Sequence, residues 1–217
     1  GEVIMLEGKR PVGLVNQEKF TRRDFLARLS ALGVTAAFSP ALLVNPVGAA
    51  KPKKGGRFRL GMAGGSTTDS LDPATMTDAM AYNINWQTRN CLTEVDHNGN
   101  IVPELAQNWE SSSDARNWTF KLRQGVQFHN GKTLEADDIV FSINHHRGEN
   151  SKSAAKGIVD PIDDIKIDDK YTVVFYLREG NADFPYIMSD PHLPIVPAGT
   201  EREEWEKGIG TGGFILH

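Results

Sequence analysis

At 217 residues, 39% hydrophobic and 24% charged, the chain has the composition of a soluble globular protein, which excludes a collagen, a coiled coil or a disordered tail. Its formal charge of −4 divides unevenly, with six Lys/Arg against four Asp/Glu in residues 1–50 and 18 against 24 in the remainder. The acidic body has no stripe of Lys/Arg to neutralise phosphates, so nucleic acid is excluded as a partner, and the single cysteine, Cys91, excludes an internal disulfide or a thiolate zinc site.

In chain order, the first recognisable segment is residues 20–50. A twin arginine, Arg22 and Arg23, is followed by Phe25 and Leu26, an apolar stretch to Leu43, and small residues around Val47 and Ala49. A basic start, an apolar middle and a small-residue cleavage site resemble a twin-arginine export signal, with cleavage after Ala49 or Ala50 and an extension before Thr21. Arg28, Gly33, Ser39 and Pro40 make the stretch a poor permanent membrane span. The sequence opens on Gly1 and stops inside the apolar run Phe214-Ile215-Leu216, so both ends are expected to be cut.

Arg57 to Met62 alternates polar and apolar residues and predicts a first strand. It leads into Gly64-Gly65-Ser66-Thr67-Thr68-Asp69-Ser70, a small polar loop suited to presenting backbone and hydroxyl groups to a ligand. Leu71-Asp72-Pro73 closes the loop, and Met80, Ile84 and Thr88 predict a helix over 77–88. From Thr93 short strands and turns follow, with tight turns at 96–100 and at Asn130-Gly131. A helix is predicted over 136–146, with Asp137 and Asp138 at its start and an inward stripe of Ile139, Val140 and Ile143. Residues 158–167 and 171–177 read as a hairpin, and 208–214 as a flexible glycine passage into another strand.

Five pieces in order then carry a resemblance: Leu71-Asp72-Pro73; residues 101–106 with Trp109; the block from Trp118 to Gly131; residues 136–142; and Gly210-Thr211-Gly212. Together they resemble the extracytoplasmic solute-binding proteins of oligopeptide and dipeptide ABC transporters, the family 5 solute-binding proteins. The resemblance implies an α/β, two-lobed fold of the periplasmic-binding-protein type II. Here only the start of lobe 1 (51–92), an inserted, mainly β domain (93–207) and a return to lobe 1 (208–217) are expected, after a signal segment (1–50). Gly213 stands where the family often has proline.

The resemblance further implies a monomeric, non-enzymatic receptor without cofactor. It would capture a peptide or other small solute and deliver it to ABC permease subunits, after export by the twin-arginine machinery. Nickel chelates, sugars and opines are alternative solutes within such a family. Ser66, Thr67, Thr68 and Asp69 are the candidate ligand contacts, and Gly210, Thr211 and Gly212 the hinge passage. Competing motifs are weaker. Residues 125–133 read GVQFHNGKT but space their glycines wrongly for a phosphate loop. Adjacent His145 and His146 point apart on a helix and read as solvated or capping rather than metal-binding. Asp163-Asp164 and Asp168-Asp169 lack calcium-loop spacing. An exported hydrolase using Ser66, His129 and Asp137 lacks a nucleophile motif.

Overall fold

The structure is a computed structural model that describes residues 56–57 and 59–217. The export signal with Arg22 and Arg23 lies outside the described residues. Residues 59–217 form one compact unit.

Its first element is helix α1 (Ala79–Thr88). The helix starts two residues later than the periodicity suggests, because Asp78 caps it: Oδ1 accepts from the N–H groups of Met80 at 2.8 Å and Ala81 at 2.9 Å. The buried face is Ala81, Asn85 and Thr88 rather than Met80, Ile84 and Thr88. A buried arginine explains that choice. Arg89, 2% exposed, follows the helix and needs the Asn85 amide beneath it.

Two antiparallel sheets make the body. Strands β1 (Thr93–Val95) and β2 (Ile101–Pro103) form a hairpin around the turn at 96–100, where Asp96 N–H donates to the Asn100 carbonyl at 2.8 Å. The second sheet holds β3 (Ala106–Ser111), β4 (Asn117–Leu122), β5 (Ile162–Asp169) and β6 (Thr172–Leu177), in the order β3-β4-β6-β5. Alternation directs Trp118, Phe120 and Leu122 of β4 and Val173, Phe175 and Leu177 of β6 to one face. Helix α2 (Ala136–Asn144) contributes Ile139 and Ile143 to the same core. A turn of helix, α4 (Phe184–Ile187), adds Phe184, whose ring centroid lies 5.3 Å from Phe175 and 6.1 Å from Phe120. A 3-10 helix, Arg202–Lys207, precedes the glycine passage and places Trp205 in the interior.

Four expectations need correction. Residues 59–62 belong to no strand; alternation alone cannot make one where no strand among the described residues takes the N–H and C=O groups, and Leu60 is 55% exposed. The strand expected from Ile158 begins at Ile162. Residues Lys156–Val159 form a helical turn, α3, that buries Val159, and Pro161 cannot donate to a strand ladder. His146 is not solvated but 1% exposed. The passage from 208 leads into no described strand, and it is not loose, because its N–H groups at Gly212 and Phe214 bond to the end of α1.

Candidate functional site

The loop at 64–69 is held in shape by its own polar groups. Gly64 and Gly65 have φ of +96° and +99°, a region that favours glycine, and a Cβ on Gly65 would lie 3.1 Å from the Met80 sulfur. The Asp69 carboxylate accepts from the Ser66 N–H at 2.5 Å, Asp69 N–H donates to the Ser66 carbonyl at 3.2 Å, and the Ser66 and Thr68 hydroxyls are 3.0 Å apart. The amides of Ser66 and Asp69 are thereby taken up inside the turn.

Thr68 and Asp69 line a cavity of about 220 Å³ together with Thr75, Thr77 and Asp78. Ser66 and Thr67 are exposed but do not line it. Sequence reading missed Thr75, Thr77 and Asp78. The available signal was the polar run Thr75, Thr77 and Asp78 before α1, the first two of which the sequence reading did not single out as a site, while Asp78 caps the helix.

Behind the loop, residues 70–73 are tied down from three sides. Glu206 accepts from the Ser70 hydroxyl at 2.6 Å and the Leu71 N–H at 3.1 Å, and Arg89 Nη1 donates to the Leu71 carbonyl at 2.6 Å. His145 Nε2 lies 2.7 Å from Asp72 Oδ1 and its ring stacks on Trp205 at 4.6 Å. Burial raises the Asp72 carboxyl, but the His145 hydrogen bond, the Ala74 N–H and the charges of His145 and His146 outweigh it and hold it below its ordinary value. His146, packed beneath with Nδ1 2.7 Å from the Ser153 hydroxyl, is pushed down to about 4 by burial and by its neighbour His145. Arg89 also donates to the carbonyls of Ile209 and Trp205, and burial lowers it to about 10.

The glycine passage sits on the end of α1. Gly212 N–H donates to the Thr88 carbonyl at 2.9 Å and Phe214 N–H to the Gln87 carbonyl at 3.1 Å, satisfying acceptors that a helix end leaves free. From the other side His129 N–H donates to the Gly210 carbonyl at 2.8 Å, and His129 Nε2 lies 2.9 Å from the Gly212 carbonyl. A Cβ on Gly210 or Gly212 would fall inside the backbone of residues 87–89. The hydroxyl of Thr211 donates to Asn90 Oδ1 at 2.8 Å.

Nothing joins Ser66, His129 and Asp137 by hydrogen bonds: Ser66 faces Thr68, His129 faces Gly212, and Asp137 lies 3.6 Å from Lys132. Asn130-Gly131 is a hairpin turn, with Phe128 N–H donating to the Lys132 carbonyl at 2.9 Å and Gly131 at φ +85°. Lys132 binds Asp138 rather than presenting itself as a phosphate-loop lysine would.

The family model described as "Bacterial extracellular solute-binding proteins, family 5 Middle" matches residues 100–217. The chain belongs to family 5 of the bacterial extracellular solute-binding proteins. This family 5 chain is 32% identical over 142 residues to a dipeptide-binding protein of Escherichia coli, covering 54% of this chain and 26% of that one. It is 28% identical over 211 residues to di/tripeptide-binding protein 1 of Pseudomonas aeruginosa, covering 84% and 39%. The structure of AgaA from A. tumefaciens R10, solved with agropinic acid, is similar at a TM-score of 0.62 and 26% identity, over 67% of this chain and 30% of that one. The family 5 chain thus spans about a quarter to two fifths of these relatives, and its fold is part of the type II periplasmic-binding architecture. The family is one of solute-binding proteins rather than enzymes.

Proposed function

We propose that the chain is part of the substrate-binding component of an ABC importer, capturing peptides outside the cytoplasmic membrane and delivering them to the permease. The observation that carries this reading is the family 5 match over residues 100–217, joined to relatives named for binding di- and tripeptides. On this reading residues 51–92 start the first lobe, 93–207 form the inserted domain and 208–217 return the chain to the first lobe. Ser66, Thr67, Thr68 and Asp69 then face a solute that a second lobe encloses, Thr68 and Asp69 most directly because they line the cavity. Gly210, Thr211 and Gly212 serve as the hinge passage. Closure around a backbone explains broad specificity, since peptide N–H and C=O groups recur whatever the side chains, each hydrogen bond contributing about 0.5–1.5 kcal/mol net.

The monomeric receptor reaches its compartment by the twin-arginine route through Arg22 and Arg23, and works without a cofactor. Isothermal titration of the full-length mature protein with di- and tripeptides tests the reading. Saturable binding without hydrolysis supports it; peptide turnover, or silence with every solute, overturns it. A second reading, an opine receptor of the same family, is favoured by the likeness to AgaA, so agropinic acid belongs in the same titration. For export, replacing both arginines by lysine should trap the protein uncleaved in the cytoplasm, and unchanged secretion would dismiss the signal.

A further inference from the structure

Glu104, just after β2, lies against the chain leaving α1. Its Oε1 accepts from Asn90 Nδ2 at 2.5 Å and its Oε2 from the Cys91 N–H at 2.8 Å. The other end of the Asn90 amide, Oδ1, accepts from the Thr211 hydroxyl at 2.8 Å. Asn90 is anchored through its own carbonyl, which accepts from Ile195 N–H at 2.8 Å, so the side-chain amide is the part of this residue able to turn.

An ionised carboxylate can only accept hydrogen bonds. It therefore directs Asn90 Nδ2 toward Glu104 and leaves Oδ1 for Thr211. A proton placed on Oε1 and directed at Asn90 can be accommodated, because that side-chain amide can reverse, whereas the backbone N–H facing Oε2 cannot. Two donors would then confront each other at Oε1, a conflict relieved by a half-turn of the Asn90 amide. Oδ1 would accept the carboxyl proton, Nδ2 would point at Thr211, and the Thr211 hydroxyl would become an acceptor whose own hydrogen points elsewhere. We propose that Glu104, Asn90 and Thr211 form a proton-operated latch, in which one proton on Glu104 reverses the Asn90 amide and changes how the Gly210-Thr211-Gly212 passage is held on the end of α1.

The latch works where the carboxyl titrates. Burial pushes Glu104 up to about 7, against the hydrogen bonds from Asn90 and Cys91 and with help from the Glu94 charge on β1. The other charged or titratable neighbours are accounted for. Arg89, which lines a cavity of about 420 Å³ together with Glu94 and Glu104, directs its guanidinium to Ile209, Leu71, Asn85 and Trp205. Arg123 donates to the Glu104 backbone carbonyl, Cys91 directs its thiol to the Asp190 carbonyl, and His129 faces Gly212 from the hairpin turn.

The test follows two NMR signals of the full chain through a pH titration: the Asn90 side-chain amide and the Gly212 backbone amide. Both are expected to shift with one shared midpoint near that of Glu104, about 7. Glu104→Gln should flatten both, whereas Thr211→Val should leave the Asn90 shift and abolish that of Gly212. A Gly212 shift that survives Glu104→Gln would assign the titration to a group other than Glu104 and overturn the latch. So would a Gly212 shift indifferent to Thr211→Val, or an Asn90 amide without a midpoint. Should Glu104→Gln fail to fold, wild type and Thr211→Val decide the matter alone.

Discussion

At the scale of single residues, the buried ionisable groups of this chain divide by whether a partner meets them. Asp138, with 0% exposure, receives Lys132 Nζ at 2.5 Å, the Ala198 N–H at 2.6 Å and the Glu135 N–H at 2.9 Å. Sequence reading saw in it a favourable charge at a helix start; the structure adds that it joins the hairpin turn, α2 and the segment after Pro197. Asp138→Ala leaves Lys132 without its buried partner and two N–H groups unmet. A loss of about 3–5 kcal/mol is expected by urea denaturation. Asp137→Ala, on the exposed side of the same turn, should cost under about 1 kcal/mol.

His146 and Glu104 make opposite contributions to pH dependence. His146 falls from 6.5 to about 4 on folding, so the unfolded chain takes the proton first as pH drops. Its contribution is complete above about pH 6.5 and is lost toward pH 4, an effect of about 3 kcal/mol. Glu104 rises from 4.5 to about 7, so here the folded chain binds the proton first, and stability declines as pH climbs through that window. The two slopes offset each other between pH 4.5 and 6.5. His146→Asn, which keeps a partner for Ser153, should therefore unmask Glu104: melting temperature should rise as the pH is lowered from about 7 toward 5. A variant that instead melts lower over that interval would contradict the assignment.

At the scale of elements, the glycine passage shows how a short polar string is made rigid by contact rather than by composition. Gly210 and Gly212 lie against the backbone of 87–89, whereas nothing comes within 4 Å of a Cβ on Gly213. Alanine at 210 or 212 must push the passage off α1 and break the bonds to Thr88 and Gln87. Losses of about 1–3 kcal/mol or more are expected from thermal melts, while Gly213→Ala should change stability by less than about 0.5 kcal/mol. Turns were the most legible elements. Asn130-Gly131 and the stretch 96–100 form as local chemistry dictates, because their hydrogen bonds close within a few residues. Strand starts were less legible: Ile158 and Val159 are apolar in either state, and only the core they reach makes 156–159 a helical turn.

At the scale of the whole molecule, one core of sheet, α2 and α4 carries the body. Phe120 stands at its centre, in aromatic contact with Trp109, Trp118, Phe175 and Phe184. Phe120→Ala should cost about 3–5 kcal/mol, read as a lower urea midpoint with an unchanged slope. A second, softer transition in that variant would mean that the β body and the segment around α1 unfold separately. The contacts of Glu206 and His145 argue against that outcome, because they bind residues 70–73 to chain more than 70 positions away.

By itself the sequence determined the family, the mainly β body, its turns, the acidic start of α2 and the general place of the polar loop. Each of these rests on local periodicity, on side chains hydrogen-bonding near neighbours, or on an ordered set of motifs. The tertiary structure alone decided which face of α1 is buried and that 59–62 stay unpaired. It also brought Thr75, Thr77 and Asp78 beside Thr68 and Asp69, and clamped the glycine passage. Those outcomes depend on groups distant in sequence meeting in space, where a buried guanidinium, a helix end or the lack of a pairing strand among the described residues outweighs local preference.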